Sequence, residues 1–184
     1  MLEAIDALSR LDPSNGKAAM MPDALAGQWE LIWSAGTAKF SPLLALPRPI
    51  RPSSVQLLGD EATAMAKLGA GRVGNKLNLP GVSLLLSSGV APLEREPATL
   101  EISPPFRLEV EVPLLGVRKL LVEAGSDAEF RAINARDSEA QAAPRNRYVQ
   151  SYLETSGAPG DLRVSTVASG DPVIVGTVFV HRRL

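Results

Sequence analysis

The chain has 184 residues, a formal net charge of −1, 45% hydrophobic residues and no cysteine. This length and composition predict one folded domain over residues 1–184, and the missing cysteine excludes disulfides, zinc–thiolate sites and thiol nucleophiles. Because His181 is the only histidine, sites with several histidine ligands are excluded and a Ser-His-Asp triad is disfavoured.

The small net charge hides an uneven distribution. Residues 32–93 carry six basic and two acidic residues, whereas residues 94–139 carry six basic and ten acidic residues. Proteins that bind nucleic acids usually have a denser basic stripe with interleaved aromatic residues, so no nucleic-acid partner is expected. The basic region is compatible with an anionic lipid surface.

The first predicted element is a short amphipathic helix within residues 1–12. Leu2, Ile5 and Leu8 recur at helical spacing, and the turn-rich segment from Asp12 to Gly16 ends the pattern. We expect neither a transit peptide nor a membrane-spanning segment in this chain. Acidic residues interrupt the N-terminal segment, and prolines and glycines interrupt the longest uncharged one.

A half-buried strand is predicted over residues 28–34, with Trp29, Leu31 and Trp33 on one face. The next segment, residues 35–54, contains four prolines and is predicted to be a long loop, because neither a helix nor a central strand tolerates that density. If the loop is exposed, it would suit docking onto a lipid surface, and if it folds inward it would act as a lid. The residues that carry this prediction are apolar or basic: Phe40, Leu43, Leu44, Arg48, Ile50 and Arg51.

The clearest strand signal lies at residues 106–112. Phe106, Leu108 and Val110 alternate with charged residues, so one face is expected in a core and the other in water. Leu84–Leu86 is apolar but too short to assign. Further strands are predicted at residues 55–58, 73–79, 99–102, 120–123, 148–153, 162–166 and 173–180. Together these patterns predict a mainly β fold, an antiparallel up-and-down barrel with a short N-terminal helix, with a β-sandwich as the alternative.

Residues 123–147 allow two interpretations. The sequence from Ser126 to Glu129 matches a capping box and favours a helix that ends before Pro144. The same residues also suit a hairpin turn that leads into a strand over 130–134.

Three motifs resemble catalytic or cofactor sites but are better explained otherwise. Gly69–Gly74 has the spacing G-x-G-x-x-G, yet Pro80 interrupts the helix that a dinucleotide site needs. Glu109 and Glu111 fall on the solvent side of their strand. The segment from His181 to Arg183 is interpreted as an exposed C-terminal charge cluster. No catalytic residue, metal site or cofactor is therefore predicted.

Two groups of residues near the ends of the chain carry a family resemblance. The first is Gly27, Trp29 and Leu31, and the second comprises Tyr152-Leu153 followed by Asp161–Val164. In this combination the chain resembles the plastid lipid-associated proteins, also called fibrillins or plastoglobulins. Glu154 stands where the family has aspartate, and Thr155–Gly160 separates two elements that adjoin in the family.

The resemblance implies a lipocalin-like barrel in plastids, at plastoglobules or thylakoid membranes, that associates with lipids, carotenoids or quinones. It carries over no catalytic residue. By similarity to lipocalins, Arg163 is expected to cover Trp29 and close one end of the barrel.

The strand pattern and the resemblance lead to one functional prediction with two alternatives. An eight-stranded barrel has room for one small ligand. We predict a non-enzymatic protein that binds lipophilic molecules, whose oligomeric state the sequence does not indicate. The alternatives are an isomerase-type enzyme that uses polar liners such as Tyr152 or Asn75, and a ligand-free interaction module with a packed core. The predicted ligand-lining residues are Trp29, Leu31, Trp33, Phe106, Leu108, Val110 and Tyr152.

Overall fold

The structure is a computed structural model that describes residues 2–39, 41–47, 50–68, 71–124 and 145–184. Three α-helices lie within these ranges: α1 (Leu2–Ser9), α2 (Pro22–Leu25) and α3 (Asp60–Met65). The strands are β1 (Gly27–Ala35), β2 (Ser53–Leu58), β3 (Arg72–Leu79), β4 (Val82–Leu93), β5 (Glu96–Val112), β6 (Val117–Ala124), β7 (Asn146–Leu153), β8 (Leu162–Ser169) and β9 (Val178–Arg183).

Eight of these strands close into an antiparallel barrel. The hydrogen-bonded order runs β1-β2-β3-β4-β5-β7-β8-β9 and returns to β1, while β6 pairs with β5 outside the ring. Ring neighbours follow one another in sequence except where β6 is skipped and where β9 meets β1. The predicted up-and-down barrel with a short N-terminal helix is confirmed.

Two short seams divide the ring into two sheets. β1 pairs with β2 only over Gly27–Glu30, and β5 pairs with β7 only over Thr99–Ile102, within the described residues. Both seams lie near the end of the barrel that contains Trp29, which we call the closed end. Beyond them, the later residues of β1 pair with β9 alone, and those of β5 pair with β4 and β6. The opposite, open end is therefore bounded by two sheets that do not pair with each other in the described part of the chain.

β5 is longer than the alternating pattern predicted. The strands predicted at 99–102 and 106–112 are one strand, which passes through Pro104 and Pro105. Neither proline has a partner in the ladders, because β5 leaves β7 after Ile102 and joins β6 at Phe106. Proline is tolerated where the ladder is interrupted, since its missing N–H then costs no hydrogen bond.

The register defines which side chains face the barrel interior. Paired residues point to the same face, and faces alternate along each strand. Trp29 pairs with Gln56 and Arg183, and these side chains face inward. The outer face is covered by two helices. α1 packs through Ile5 against β7, β8 and β9, and α3 packs through Ala62 against β2 and β4.

Two predicted elements need correction. Leu84–Leu86, too short to assign from sequence, belongs to the 12-residue strand β4. The serines of this strand are paired in its ladders with β3 and β5, and Pro92 lies near its end. The last strand is Val178–Arg183 rather than 173–180, because residues 172–176 form a turn. The two interpretations of residues 123–147 concern a segment of which 125–144 lies outside the described residues.

Candidate functional site: the barrel interior

The closed end is built around Trp29. Its side chain is 0% exposed and packs in a core with Leu25, Leu58 and Leu153. The indole nitrogen donates a hydrogen bond of 2.8 Å to the Leu25 carbonyl, so the polar atom of the ring is satisfied. The predicted contact is present, because the Arg163 guanidinium carbon lies 4.9 Å from the ring centroid.

A second arginine, Arg183, completes the closed end. Its guanidinium carbon lies 4.3 Å from the Trp29 ring centroid, and it donates hydrogen bonds to the carbonyls of Ala24 and Ala26. Its Nε lies 3.8 Å from the carboxylate of Asp161. The interpretation of the C-terminus as an exposed charge cluster was therefore wrong for Arg183.

His181 is also buried, and only Arg182 of the three is exposed. Alternation along β9 explains the difference, because His181 and Arg183 face inward whereas Arg182 faces outward and pairs with Glu30 at 2.6 Å. Phe179 has the same parity as His181 and Arg183. The sequence therefore already indicated that all three side chains share one face of the last strand, but the position of His181 and Arg183 near the chain end favoured the interpretation as exposed residues.

Above Trp29 the interior is polar. We call Gln56, Asn75, Gln150, Arg163 and His181 the polar layer. Gln56 donates a hydrogen bond of 3.0 Å to Asn75, and Arg163 donates one to the side-chain oxygen of Gln56 from the opposite sheet. Arg163 and His181 are cross-strand partners between β8 and β9. The polar layer therefore spans the interior from β3 to β9.

Three buried atoms of the polar layer have no hydrogen-bond partner. They are Oε1 of Gln150, Nε of Arg163 and Nδ1 of His181. Burial, together with the charge of Arg183, lowers the pKa of Arg163 to about 9. Burial, reinforced by Arg163, holds the pKa of His181 well below its ordinary value. Near neutral pH the layer therefore holds one cationic guanidinium and one neutral imidazole.

An aromatic row continues from the polar layer towards the open end. The ring centroids of His181 and Phe179 are 6.1 Å apart, and those of Phe179 and Tyr148 are 6.3 Å apart. Burial, with a smaller contribution from Asp171, raises the pKa of Tyr148 to about 12. Its phenol therefore stays protonated and is not poised as a base at neutral pH.

On the facing sheet the interior becomes apolar. Asn75 pairs with Leu86, and Leu86 pairs with Leu108, so these residues share the inner face. Leu86 is nevertheless 46% exposed. A large apolar side chain that faces inward and yet meets solvent indicates that the interior opens here. The apolar members of this surface, which we call the apolar wall, are Leu77, Leu84, Leu86, Phe106, Leu108, Val110 and Val122.

The predicted lining residues divide into two groups. Leu31 faces inward beside Trp29, and Phe106, Leu108 and Val110 belong to the apolar wall. Trp33 and Tyr152 instead lie on the outer face, where they pack in the cluster that contains Ile5 of α1.

A bulge between Leu31 and Trp33 shifts the register of β1 and reverses the face of Trp33. A second irregularity between Gln150 and Tyr152 does the same in β7, so Gln150 faces inward and Tyr152 outward. The Tyr152 hydroxyl donates a hydrogen bond of 3.0 Å to Glu154 on that outer surface. Of the two polar residues named for the isomerase alternative, Asn75 therefore faces the interior and Tyr152 does not.

Several loops with exposed apolar residues meet at the open end. Antiparallel neighbours alternate in direction, so the β1–β2 loop, the β5–β6 turn and the β8–β9 loop lie at the same end. Of the predicted loop residues, Leu43 and Ile50 are exposed and Leu44 and Arg51 are half-buried, whereas Phe40 and Arg48 lie outside the described residues. The exposed apolar side chains of the open end are Leu43, Leu46, Ile50, Leu114, Leu115, Val117, Val173 and Val175.

The other two motifs set aside in the sequence, Gly69–Gly74 and the pair Glu109 and Glu111, have the expected surroundings. Gly71 is followed directly by strand β3 and not by a helix, so the arrangement of a dinucleotide site is missing. Glu109 and Glu111 lie on the outer face, where they pair with Arg118 and Lys76. Across the described ranges, no three His, Asp or Glu side chains converge to hold a metal ion, and no helix is long and apolar enough to cross a bilayer.

The interior combines two kinds of surface. An apolar wall that meets solvent leads to buried polar atoms, and the neutral imidazole of His181 is the cross-strand neighbour of the Arg163 guanidinium. Comparison of the chain with protein-family models, with curated proteins and with solved structures finds no match. The resemblance to the plastid lipid-associated proteins therefore stays a prediction from the residues that carry it.

Proposed function

We propose that this protein binds lipophilic small molecules inside its barrel and catalyses no reaction on them. The observation that carries the proposal is the apolar wall, on which Leu86 faces the interior and is still 46% exposed. Burying such a surface against a ligand gains about 25 cal/mol for each Å² removed from water. Burial of this surface would therefore suffice to bind an apolar ligand of modest size, and the proposal requires no catalytic group.

The proposal includes a peripheral contact with a lipid surface. The open end exposes leucines and valines from three loops, among them Leu114 at 90% and Ile50 at 67%. Arg51 and Lys119 lie in or beside these loops and would favour an anionic surface. A ligand that leaves a membrane would then enter the barrel at the end that touches it. Location at plastoglobules or thylakoid membranes is part of the proposal and rests on the family resemblance alone.

The ligand-binding part is tested with a neutral, environment-sensitive fluorescent probe and two matched variants. Leu86 and Leu120 have nearly equal exposure, 46% and 45%, but Leu86 lies on the inner face and Leu120 on the outer face. We expect Leu86→Gln to weaken probe binding and Leu120→Gln to leave it unchanged. Equal effects of the two substitutions would contradict binding inside the barrel.

The docking part is tested by flotation with liposomes that contain anionic lipid. We expect Leu43→Asp/Leu44→Asp and, separately, Leu114→Asp/Leu115→Asp to reduce flotation. Leu11 is an exposed leucine that follows α1, away from the open end, so Leu11→Asp serves as the control. Flotation that none of these substitutions reduces would overturn the docking part and leave the ligand-binding part standing.

A further inference from the structure

We propose that the ligand carries one carboxylate, and that Arg163 and His181 of the polar layer bind it. The inference rests on the proposed function and narrows it to long-chain carboxylic acids. Three features of the interior support this inference: its charge, two unpartnered nitrogen atoms, and the position of the polar layer beside the apolar wall.

The interior of the barrel holds an uncompensated positive charge. Two guanidiniums, those of Arg163 and Arg183, lie against Trp29. Asp161 lies 3.8 Å from Arg183, whereas no carboxylate of the described residues is within ion-pair distance of Arg163. Arg163 is also only 1% exposed, so water cannot solvate its charge. A buried cation without a partner is costly, and one carboxylate would neutralise it.

Two buried nitrogen atoms without a protein partner lie on the same pair of strands. Nε of Arg163 and Nδ1 of His181 are buried and have no partner, and the two residues are cross-strand neighbours. Neighbours of this kind have Cβ atoms about 5 Å apart, which one carboxylate can bridge with its two oxygens. Since the imidazole is neutral, one of its nitrogens carries hydrogen, and a proton on Nδ1 would complete the second hydrogen bond.

The polar layer and the apolar wall are continuous. Arg163 hydrogen-bonds to Gln56, Gln56 to Asn75, and Asn75 is the cross-strand partner of Leu86. An amphiphile with its head at Arg163 therefore directs its tail along the inner face to the exposed part of the wall. A lipid without an acidic head would gain the same apolar contacts but leave both donors unpaired.

The test compares palmitate with hexadecanol, which share one alkyl chain and differ in the head group. Binding of each radiolabelled compound to delipidated protein is measured by equilibrium dialysis at neutral pH. We expect palmitate to bind about tenfold more tightly than hexadecanol, the usual gain from a hydrogen bond to a charged group. Arg163→Met should remove the preference, so that the variant binds palmitate no more tightly than hexadecanol.

Arg182→Gln is the matched control, because Arg182 lies on the outer face of the same strand pair and should alter neither affinity. Equal binding of the two compounds by the native protein would overturn the carboxylate assignment and leave the proposed function intact. Binding of neither compound would overturn both. The comparison in the native protein needs no variant, so a failure of Arg163→Met to fold does not prevent a decision.

Discussion

Arg183 lies over the ring of Trp29, with 4.3 Å between its guanidinium carbon and the ring centroid, and it ties that ring to the segment before β1. The same guanidinium donates hydrogen bonds to the carbonyls of Ala24 and Ala26 and lies near Asp161. One side chain from the end of the chain thus fixes α2, the first strand and the β7–β8 loop together.

We predict that Arg183→Met lowers the free energy of unfolding by about 3 kcal/mol, because it removes the donor to two carbonyls and the cation nearest the buried carboxylate of Asp161. Arg182→Met removes only an exposed ion pair with Glu30 and should cost less than about 1 kcal/mol. Urea unfolding followed by tryptophan fluorescence measures both values. Similar losses in the two variants would contradict the role assigned to Arg183.

Gly27 leaves the space that Arg183 occupies. Its φ is +137°, and a Cβ at this position would lie 2.5 Å from Nη1 of Arg183. We predict that Gly27→Ala costs about 2 kcal/mol more than Gly116→Ala. Gly116 also has a positive φ, +62°, but a Cβ there would meet nothing within 4 Å. The expected difference, measured by thermal and urea unfolding, combines the clash with Arg183 and the greater backbone strain at a φ of +137° than in the left-handed helical region of Gly116.

His181 makes stability depend on pH between 5 and 7. Its pKa is lowered by burial and by Arg163, so the unfolded chain takes up a proton at a pH where the folded chain does not. Stability should therefore fall as pH falls through the unfolded pKa of about 6.5, with a limiting slope of about 1.4 kcal/mol per pH unit.

The chain has no other histidine, so His181→Gln should flatten the stability profile in this window. Urea unfolding of both proteins at several pH values provides the measurement. An unchanged slope in the variant would show that other groups titrate there.

Asp12 fastens the N-terminal segment to the barrel. Its carboxylate accepts hydrogen bonds from the amides of Ser14, Gly16 and Leu153, the last at 3.0 Å. Burial alone would raise the pKa of Asp12, but these hydrogen bonds and that of the Ser14 hydroxyl outweigh it and lower the pKa. The carboxylate is thus bound in its charged form, and its contribution to stability is lost as pH falls through the lowered pKa.

We predict that Asp12→Ala destabilises the protein by about 1–3 kcal/mol and speeds hydrogen exchange at the Leu153 amide. Asp6 is an exposed residue of α1, and Asp6→Ala should change neither quantity by much. Exchange measured by mass spectrometry distinguishes detachment of the N-terminal segment from global unfolding. If the Leu153 amide stays protected in Asp12→Ala, the fastening role is wrong.

The sequence predicted those elements whose local pattern matches their surroundings. The alternation over 106–112 and the isolated tryptophan after Gly27 gave the correct faces, because strict period-two patterns reflect one buried face. Trp33 was assigned inward because it shares parity with Trp29, and Tyr152 was named as a lining residue without regard to its parity. One extra residue in each strand reverses that parity, and a bulge leaves no sure trace in a single sequence.

Most of the polar layer could not be predicted from the sequence, for a different reason. Gln56 and Gln150 come from distant strands and had no predicted place in the interior, whereas Arg163 was expected beside Trp29 from the family resemblance and Asn75 was named only in the enzyme alternative. Only the closure of the ring brings them together, which depends on tertiary pairing and not on local propensity. The partner change of β5 at Pro104 was hidden likewise, since prolines ordinarily mark the end of a strand.

The two short seams divide the barrel into two walls that are hydrogen-bonded to each other near the closed end. One wall, formed by β2–β6, bears the leucines, and the other, formed by β7–β9 and β1, bears the guanidinium of Arg163. Among the described residues, the backbone pairing between these two walls is confined to Gly27–Glu30 of β1 and Thr99–Ile102 of β5, so separation of the walls at the open end would break none of the ladders within either wall. Entry and exit of a ligand at the open end would therefore require no unfolding of either wall.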